Sequence, residues 1–347
     1  MSQARPSPDA GGVGKRAVAA AIPPVSVSEK LDALIATAAR APSVHNSQPW
    51  RFRATDHAVE LHADPDRRLH VIDPDGREQL ISCGAALLGL RLAVRELGYR
   101  PLVQLLPDQR QPELLARVRL GSARPIGSGE RLLLTGLRRR HTRRGLFAAE
   151  PLPEFLPVVL QRDAEAEAAT LVIVNGHGRV GLLAGLVATA AHSQRHYPTD
   201  ADDVRAWTRP PGSQARDGVP ARAYPIRSVR SQSRLVQRDF DLGRGWGTLR
   251  ADETTDPTLV TAVLVTAGDT PVDWLRAGQA LHRLLLRAAS QWVFASLHTQ
   301  PLEASPLRAA IRAQLGLPGA PQMIMQLGVA RTTPLTARRP AHELLIS

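Results

Sequence analysis

Apolar residues recur at helical spacing at Leu31, Leu34, Ile35 and Ala38, behind an N-cap candidate at Ser28, and predict an amphipathic helix over residues 28–40. Weak alternation over residues 50–61 reads as a strand. Residues 79–98 form a long apolar helical run closed by Gly98, and residues 100–106 and 113–120 read as strands. After the linker GSARPIGSGE the pattern predicts helices over 129–140 and 180–194 with a strand at 171–174 between them. A strand at 260–266, a long helix over 272–292 and a last strand at 322–330 complete the reading. Residues 198–250 are rich in Arg, Pro, Gly and Asp and show little periodicity, so they read as a long surface excursion.

Two of these helices echo each other. CGAALLGLRL and AGQALHRLLL align at an offset of 278 − 84 = 194, matching Gly84 with Gly278, Ala86 with Ala280, Leu87 with Leu281, Leu90 with Leu284 and Leu92 with Leu286. Either two buried helices share a need for small and leucine positions, or the halves are related copies; duplication is favoured.

Composition narrows the class. At 347 residues with 43% hydrophobic content the chain can bury a core, and no apolar run reaches the ~18 residues of a membrane span. Residues 1–27, rich in Pro, Ala, Gly and Ser, read as a disordered tail; the alternative of a signal peptide is disfavoured because the apolar part after Lys15-Arg16 is only AVAAAI, shorter than the ~7 residues of such a peptide's core. The expected location is the cytoplasm. A lone Cys83 excludes an intrachain disulfide framework and reads as buried packing. The net charge of +12 rests on arginine: Lys15 and Lys30 are the only lysines, leaving 44 − 2 = 42 arginines. They are spread along the chain, and aromatic residues make up only 4%, so no stacking platform for nucleic acid is evident.

Three stretches carry candidate chemistry. In APSVHNSQPWRF, Pro42 and Pro49 stiffen a loop that holds Asn46, one of only two asparagines in the chain. Ser43, Asn46 and Gln48 offer hydrogen bonds to a planar ligand; the alternative is a helix end followed by an Asx-type turn. RRRHTRRGLF is either a solvated helix end or an anion site built from arginine forks and a threonine hydroxyl. LVIVNGHGRVGLL places Gly176, Gly178 and Gly181 as in a dinucleotide-binding turn, but Asp200, Asp202 and Asp203 follow no strand, as that fold requires. His192 and His196 lack a third ligand for zinc and read as surface residues.

Taken in order, APSVHNSQPWRF, RRRHTRRGLF, DGVPARAYP, AGQALHRLLLRAA, TQPLEASPLRAAI, PQMIMQLGVA and ARRP resemble the nitroreductase superfamily of FMN-dependent flavoproteins, most closely its Acg-type actinobacterial branch. The resemblance implies an α+β, three-layer α/β/α fold. In ordinary members each subunit carries both an Arg-x-Ser-x-Arg/Lys segment and a Pro-Ser-x-x-Asn loop. Here the first half has only the loop and the second only Arg140-His141-Thr142-Arg143-Arg144. The implied organisation is a tail at 1–27, a first half at 28–125 and a second half at 126–347 with a lid-like insertion at 199–250. Together the halves form an intrachain pseudo-dimer with one FMN site.

By the same resemblance, Arg140 and Thr142 face the FMN phosphate, Arg144 faces the N1/O2 side of the ring, Arg338 and Arg339 close on the phosphate, and Pro42, Ser43, Val44 and Asn46 touch the ring. Residues 298–301, expected to be helical, pass near it. No metal and no side-chain acid or nucleophile is implied. The implied partners are NAD(P)H and a small acceptor such as a nitroaromatic or quinone, with no nucleic acid or membrane. The rival roles are FMN storage with little turnover and, on the glycine motif, a Rossmann-type dehydrogenase. Trp207, Tyr224 and Trp246 are the expected lid residues over the flavin.

Overall fold

The chain forms two four-stranded antiparallel sheets, each carrying one long buried helix, and a two-stranded parallel pair within the excursion. The computed structural model describes residues 1, 27–145, 147–196, 201–226, 235–248, 258–331 and 336–346. The expected tail and parts of the insertion lie outside the described residues.

The first half runs α1 (Val27–Ala38), β1 (Trp50–Thr55), β2 (Ala58–Ala63), α2 (Arg77–Glu96), β3 (Tyr99–Leu105) and β4 (Leu114–Ala123). Its strands lie in the order β1-β2-β4-β3, antiparallel throughout. The single strand expected over 50–61 is a hairpin, with Thr55 opposite Ala58. Its turn, Asp56-His57, lacks the glycine that usually marks one. Trp50, Phe52, Val59 and Leu61 are fully buried against α1 and α2. The Asp73 carboxylate accepts the Glu78 and Gln79 amides at 2.9 and 2.8 Å and so caps α2. Gly98, at φ 86°, ends it as the sequence predicts.

The second half begins with α3 (Ser128–Arg139), α4 (Leu156–Glu165), β5 (Thr170–Ile173) and α5 (His177–His196). Next come α6 (Asp202–Ala206), β6 (Thr208–Arg209) and β7 (Val219–Pro220), so part of the excursion is ordered around Val204, Val219, Ala223, Tyr224 and Phe240. It closes with β8 (Val260–Thr266), α7 (Pro271–Ser290), β9 (Val293–Leu297), α8 (Gln300–Glu303), α9 (Ser305–Gln314), β10 (Ala320–Val329) and α10 (Ala341–Leu344). Helix α8 starts at Gln300, so of residues 298–301 only its last two are helical. The sheet order is β5-β8-β10-β9. β5 pairs antiparallel with β8. The glycine motif at Gly176 therefore opens no parallel βαβ crossover, and the dinucleotide-binding reading fails on topology.

The halves share one plan. Helix-strand-strand-helix-strand-strand describes both α1-β1-β2-α2-β3-β4 and α4-β5-β8-α7-β9-β10, and each sheet has its third and fourth strands exchanged in the same way. α2 and α7 pack against each other at the centre. In the second half the sheet lies between α4 and α7 on one face and α5 and α9 on the other, giving three layers. α1 packs on α2 at Gly89, and α3 packs on α7 at Gly136. The C-terminal ends of α1 and α3 thereby reach one cleft.

Candidate functional site

The turn after α1 is held in an unusual backbone form. His45, Asn46 and Gln48 all take positive φ, at 45°, 57° and 51°, which costs roughly 1–2 kcal/mol each for His45 and Gln48 and less for asparagine. Local hydrogen bonds impose it: Ser43 Oγ accepts the Gln48 amide at 3.0 Å, and Ser82 Oγ on α2 accepts the Val44 amide at 3.1 Å. Arg67 Nε donates to the Ser47 carbonyl at 2.7 Å.

The facing wall comes from the other half. Beyond α3 the chain runs beside β9, where Thr142 bridges Ala295 in parallel and the Arg143 amide donates to the Ala295 carbonyl at 2.8 Å. Thr142, Arg143 and Arg144 thus share a cavity with Pro42, Ser43 and Val44. Glu78 and Ser82 of α2, Leu281 of α7, Ser296 of β9, and Arg238 and Phe240 of the excursion complete it.

The charge of the cavity and the cleft beside it is strongly unbalanced. Arg140 is 4% exposed and donates once, from Nη2 to the Arg40 carbonyl at 3.0 Å, while its Nε and Nη1 have no partner. Arg338 donates to Asn46 Oδ1 at 2.8 Å and the Ala41 carbonyl at 3.2 Å, and its Nε has no partner. Arg144 lies 5.3 Å from the centroid of the Phe240 ring. Among the described residues no carboxylate forms an ion pair with any of the three. Burial, then repulsion from Arg338, Arg144 and Arg40, pushes the Arg140 guanidinium well below its usual range; burial brings Arg144 and Arg338 down to about 10. An unpaired cation as buried as Arg140 costs several kcal/mol, so the cluster, with Arg144 and Arg338 half-buried, is suited to an anion. Burial also keeps His282 neutral, pushing it down to about 3.

The structure brings together most of the residues singled out in the sequence. Pro42, Ser43, Val44, Thr142 and Arg144 line the cavity, while Arg140, Arg338 and Arg339 line the adjoining cleft with Arg40 and His141. Asn46 stands behind the wall: its Nδ2 donates to the carbonyls of Gly218 at 3.0 Å and Ala337 at 3.3 Å, and its Oδ1 holds Arg338. The Arg339 amide donates to Gln48 Oε1 at 2.9 Å. Of the excursion's aromatics it is Phe240 that lines the cavity. The Arg67 and Arg209 guanidiniums both lie over the Trp207 ring, Trp246 lies under Arg244, and Tyr224 is buried against Phe240. Sequence reading missed His45, Glu78, Arg238 and Phe240. His45 alone had a signal, its place inside the loop. Burial pushes the Glu78 carboxyl up to about 8 although Arg77 lies 3.0 Å away.

Among the described residues no group of three or more His, Cys, Asp or Glu side chains is placed to hold a metal, and no helix is long and apolar enough to cross a membrane. Cys83 is buried, as expected, and its Sγ meets the Pro49 carbonyl at 3.2 Å.

No model of a known protein family matches the chain. Individual proteins do. It is 30% identical over 326 residues to the Mycobacterium tuberculosis (H37Rv) protein named "Putative NAD(P)H nitroreductase Rv3131", spanning 92% of this chain and 91% of that one. It is 29% identical over 322 residues to "Putative NAD(P)H nitroreductase acg" of the same strain, spanning 91% and 95%. The overlap with nitroreductase A of Vibrio parahaemolyticus has a TM-score of 0.35 at 12% identity, over 61% of this chain and 73% of that one, and adds no weight. The chain belongs to the nitroreductase superfamily, in its Acg-type branch.

Proposed function

We propose that the chain is an FMN-binding flavoprotein that uses NAD(P)H to reduce small nitroaromatic or quinone-type acceptors. The observation that carries this reading is the set of three guanidiniums, Arg140 buried and Arg144 and Arg338 half-buried, without a counter-anion among the described residues, beside a cavity walled by both halves. The unmatched N–H groups of Arg140 and Arg338 fit a phosphate, and the relatives named NAD(P)H nitroreductases fit the chemistry. When bound, the flavin supplies hydride transfer at its N5.

The chain's own groups bind and orient. Arg140, Thr142, Arg338 and Arg339 hold the phosphate, and Arg144 places a fixed cation toward the side of the ring that gains negative charge on reduction. Pro42, Ser43 and Val44 form the opposite wall, and Asn46 aims Arg338. With the loop only in 28–125 and the arginine cluster only in 126–347, the chain carries one site and acts as a monomeric pseudo-dimer in the cytoplasm.

Phe240, braced by Arg144 and His45, supports a second reading in which the excursion covers the flavin and the protein stores FMN with little turnover. The visible spectrum of the purified protein, with mass identification of what heating releases, tests the cofactor. A yellow protein releasing FMN supports the proposal, and a colourless protein that takes up no FMN refutes it.

A further inference from the structure

His45 is 6% exposed on the cavity wall, and neither ring nitrogen has a hydrogen-bond partner. Several polar residues that share the cavity are engaged: Ser43 with the Gln48 amide, Ser82 with the Val44 amide and Glu78 carbonyl, Ser296 with His298, Glu78 with Arg77, and Arg238 with Glu303. His45 is therefore a buried wall group with both a free N–H and a free lone pair. Its ring meets Phe240 edge to face, with centroids 5.3 Å apart and planes at 78°. Burial, with Arg238 and Arg144 nearby, holds the imidazole neutral. Unmatched buried polar groups are expensive, and a left-handed histidine adds strain. The bonds of Val44, Asn46 and Gln48 on either side fix it there regardless.

We infer that His45 recognises the electron acceptor: its ring N–H donates to a carbonyl or nitro oxygen of a neutral, planar acceptor that packs against Phe240. This rests on the function proposed above and names the group that selects its substrate. Hydrocarbon rings of the same shape lack the oxygen, and cationic acceptors are repelled by Arg144, which has no carboxylate partner among the described residues.

The test titrates FMN-loaded, oxidised protein with 1,4-naphthoquinone and with naphthalene, reading perturbation of the flavin spectrum. FMN affinity is measured separately for each variant. The native protein is expected to bind the quinone more tightly than the hydrocarbon. His45→Phe is expected to raise the quinone dissociation constant roughly threefold to tenfold, the worth of one hydrogen bond, leaving FMN and naphthalene affinities unchanged. His45→Asn, which tolerates positive φ and keeps an N–H, is expected to recover part of the loss. Equal weakening of quinone and naphthalene, or unchanged quinone affinity, overturns the inference. Loss of FMN affinity with the quinone unaffected assigns His45 to the cofactor and overturns it too. A protein that takes up no FMN refutes the functional proposal and this inference together, whereas FMN uptake without quinone discrimination refutes this inference alone.

Discussion

Gly84 and Gly278 meet where α2 crosses α7: a Cβ added to Gly278 would lie 2.8 Å from the Gly84 Cα. Each glycine also sits against a carbonyl of the opposite helix, Gly84 on Leu275 and Gly278 on Ile81. The offset that relates the glycines relates those partners as well, since 275 − 81 = 194. Reciprocal contact of this kind is the mark of an isologous interface between two copies, here joined in one chain.

That crossing has no room for a side chain. Gly278→Ala should destabilise the protein by about 1–3 kcal/mol, the usual cost of overpacking a close interior contact. The urea midpoint should fall with an unchanged slope. An unaltered midpoint would show that the helices separate without cost.

Arg140 tests the phosphate assignment. Hydrogen bonds to charged groups contribute about 1.5–3 kcal/mol each, so Arg140→Ala should weaken FMN roughly 10- to 100-fold. Riboflavin, which has no phosphate, should bind as before. Equal weakening of both flavins would make Arg140 a structural residue.

Glu78 gives the fold a pH dependence whose sign is fixed by its raised pKa. The folded state holds a proton that the unfolded chain gives up above its ordinary value of 4.5. This contribution is present in full below that value and is lost as pH rises through about 8. Glu78→Gln keeps a neutral group at every pH, so native protein should lose stability relative to the variant between pH 5 and pH 8. Parallel urea curves at both pH values would show that Arg77 keeps Glu78 ionised.

Phe240 tests whether the excursion restricts access. The native protein is expected to be reduced slowly by NADPH or NADH in anaerobic stopped flow, and Phe240→Ala faster, with FMN still bound. Fast reduction of the native protein favours an ordinary reductase, whereas slow reduction of both favours storage.

Much of the site was legible because it is written in local sequence. Pro42, Ser43 and Val44 sit in one rigid loop, and Arg140, Thr142 and Arg144 follow one helix end, so naming the segments named the walls. The long apolar run of α2 and the periodic pattern of α7 were legible for the same reason. The strand β9 was not, since VFASL follows α7 after only two residues with no Gly or Pro between them, and α4 was hidden by the prolines at its start. His45 and Phe240 owe their importance to contacts across 195 residues (240 − 45 = 195) that no periodicity records. Asn46 was noticed for its rarity, but its amide serves Gly218, Ala337 and Arg338, partners only the fold reveals.

The central claim is that two complementary halves build one flavin site. It is tested most directly by titrating flavin-free protein with FMN and measuring bound flavin per chain at saturation, with the mass of the species determined in the same solution. The account predicts one FMN per monomeric chain. Saturation at two per chain, or at one per pair of chains, would contradict it.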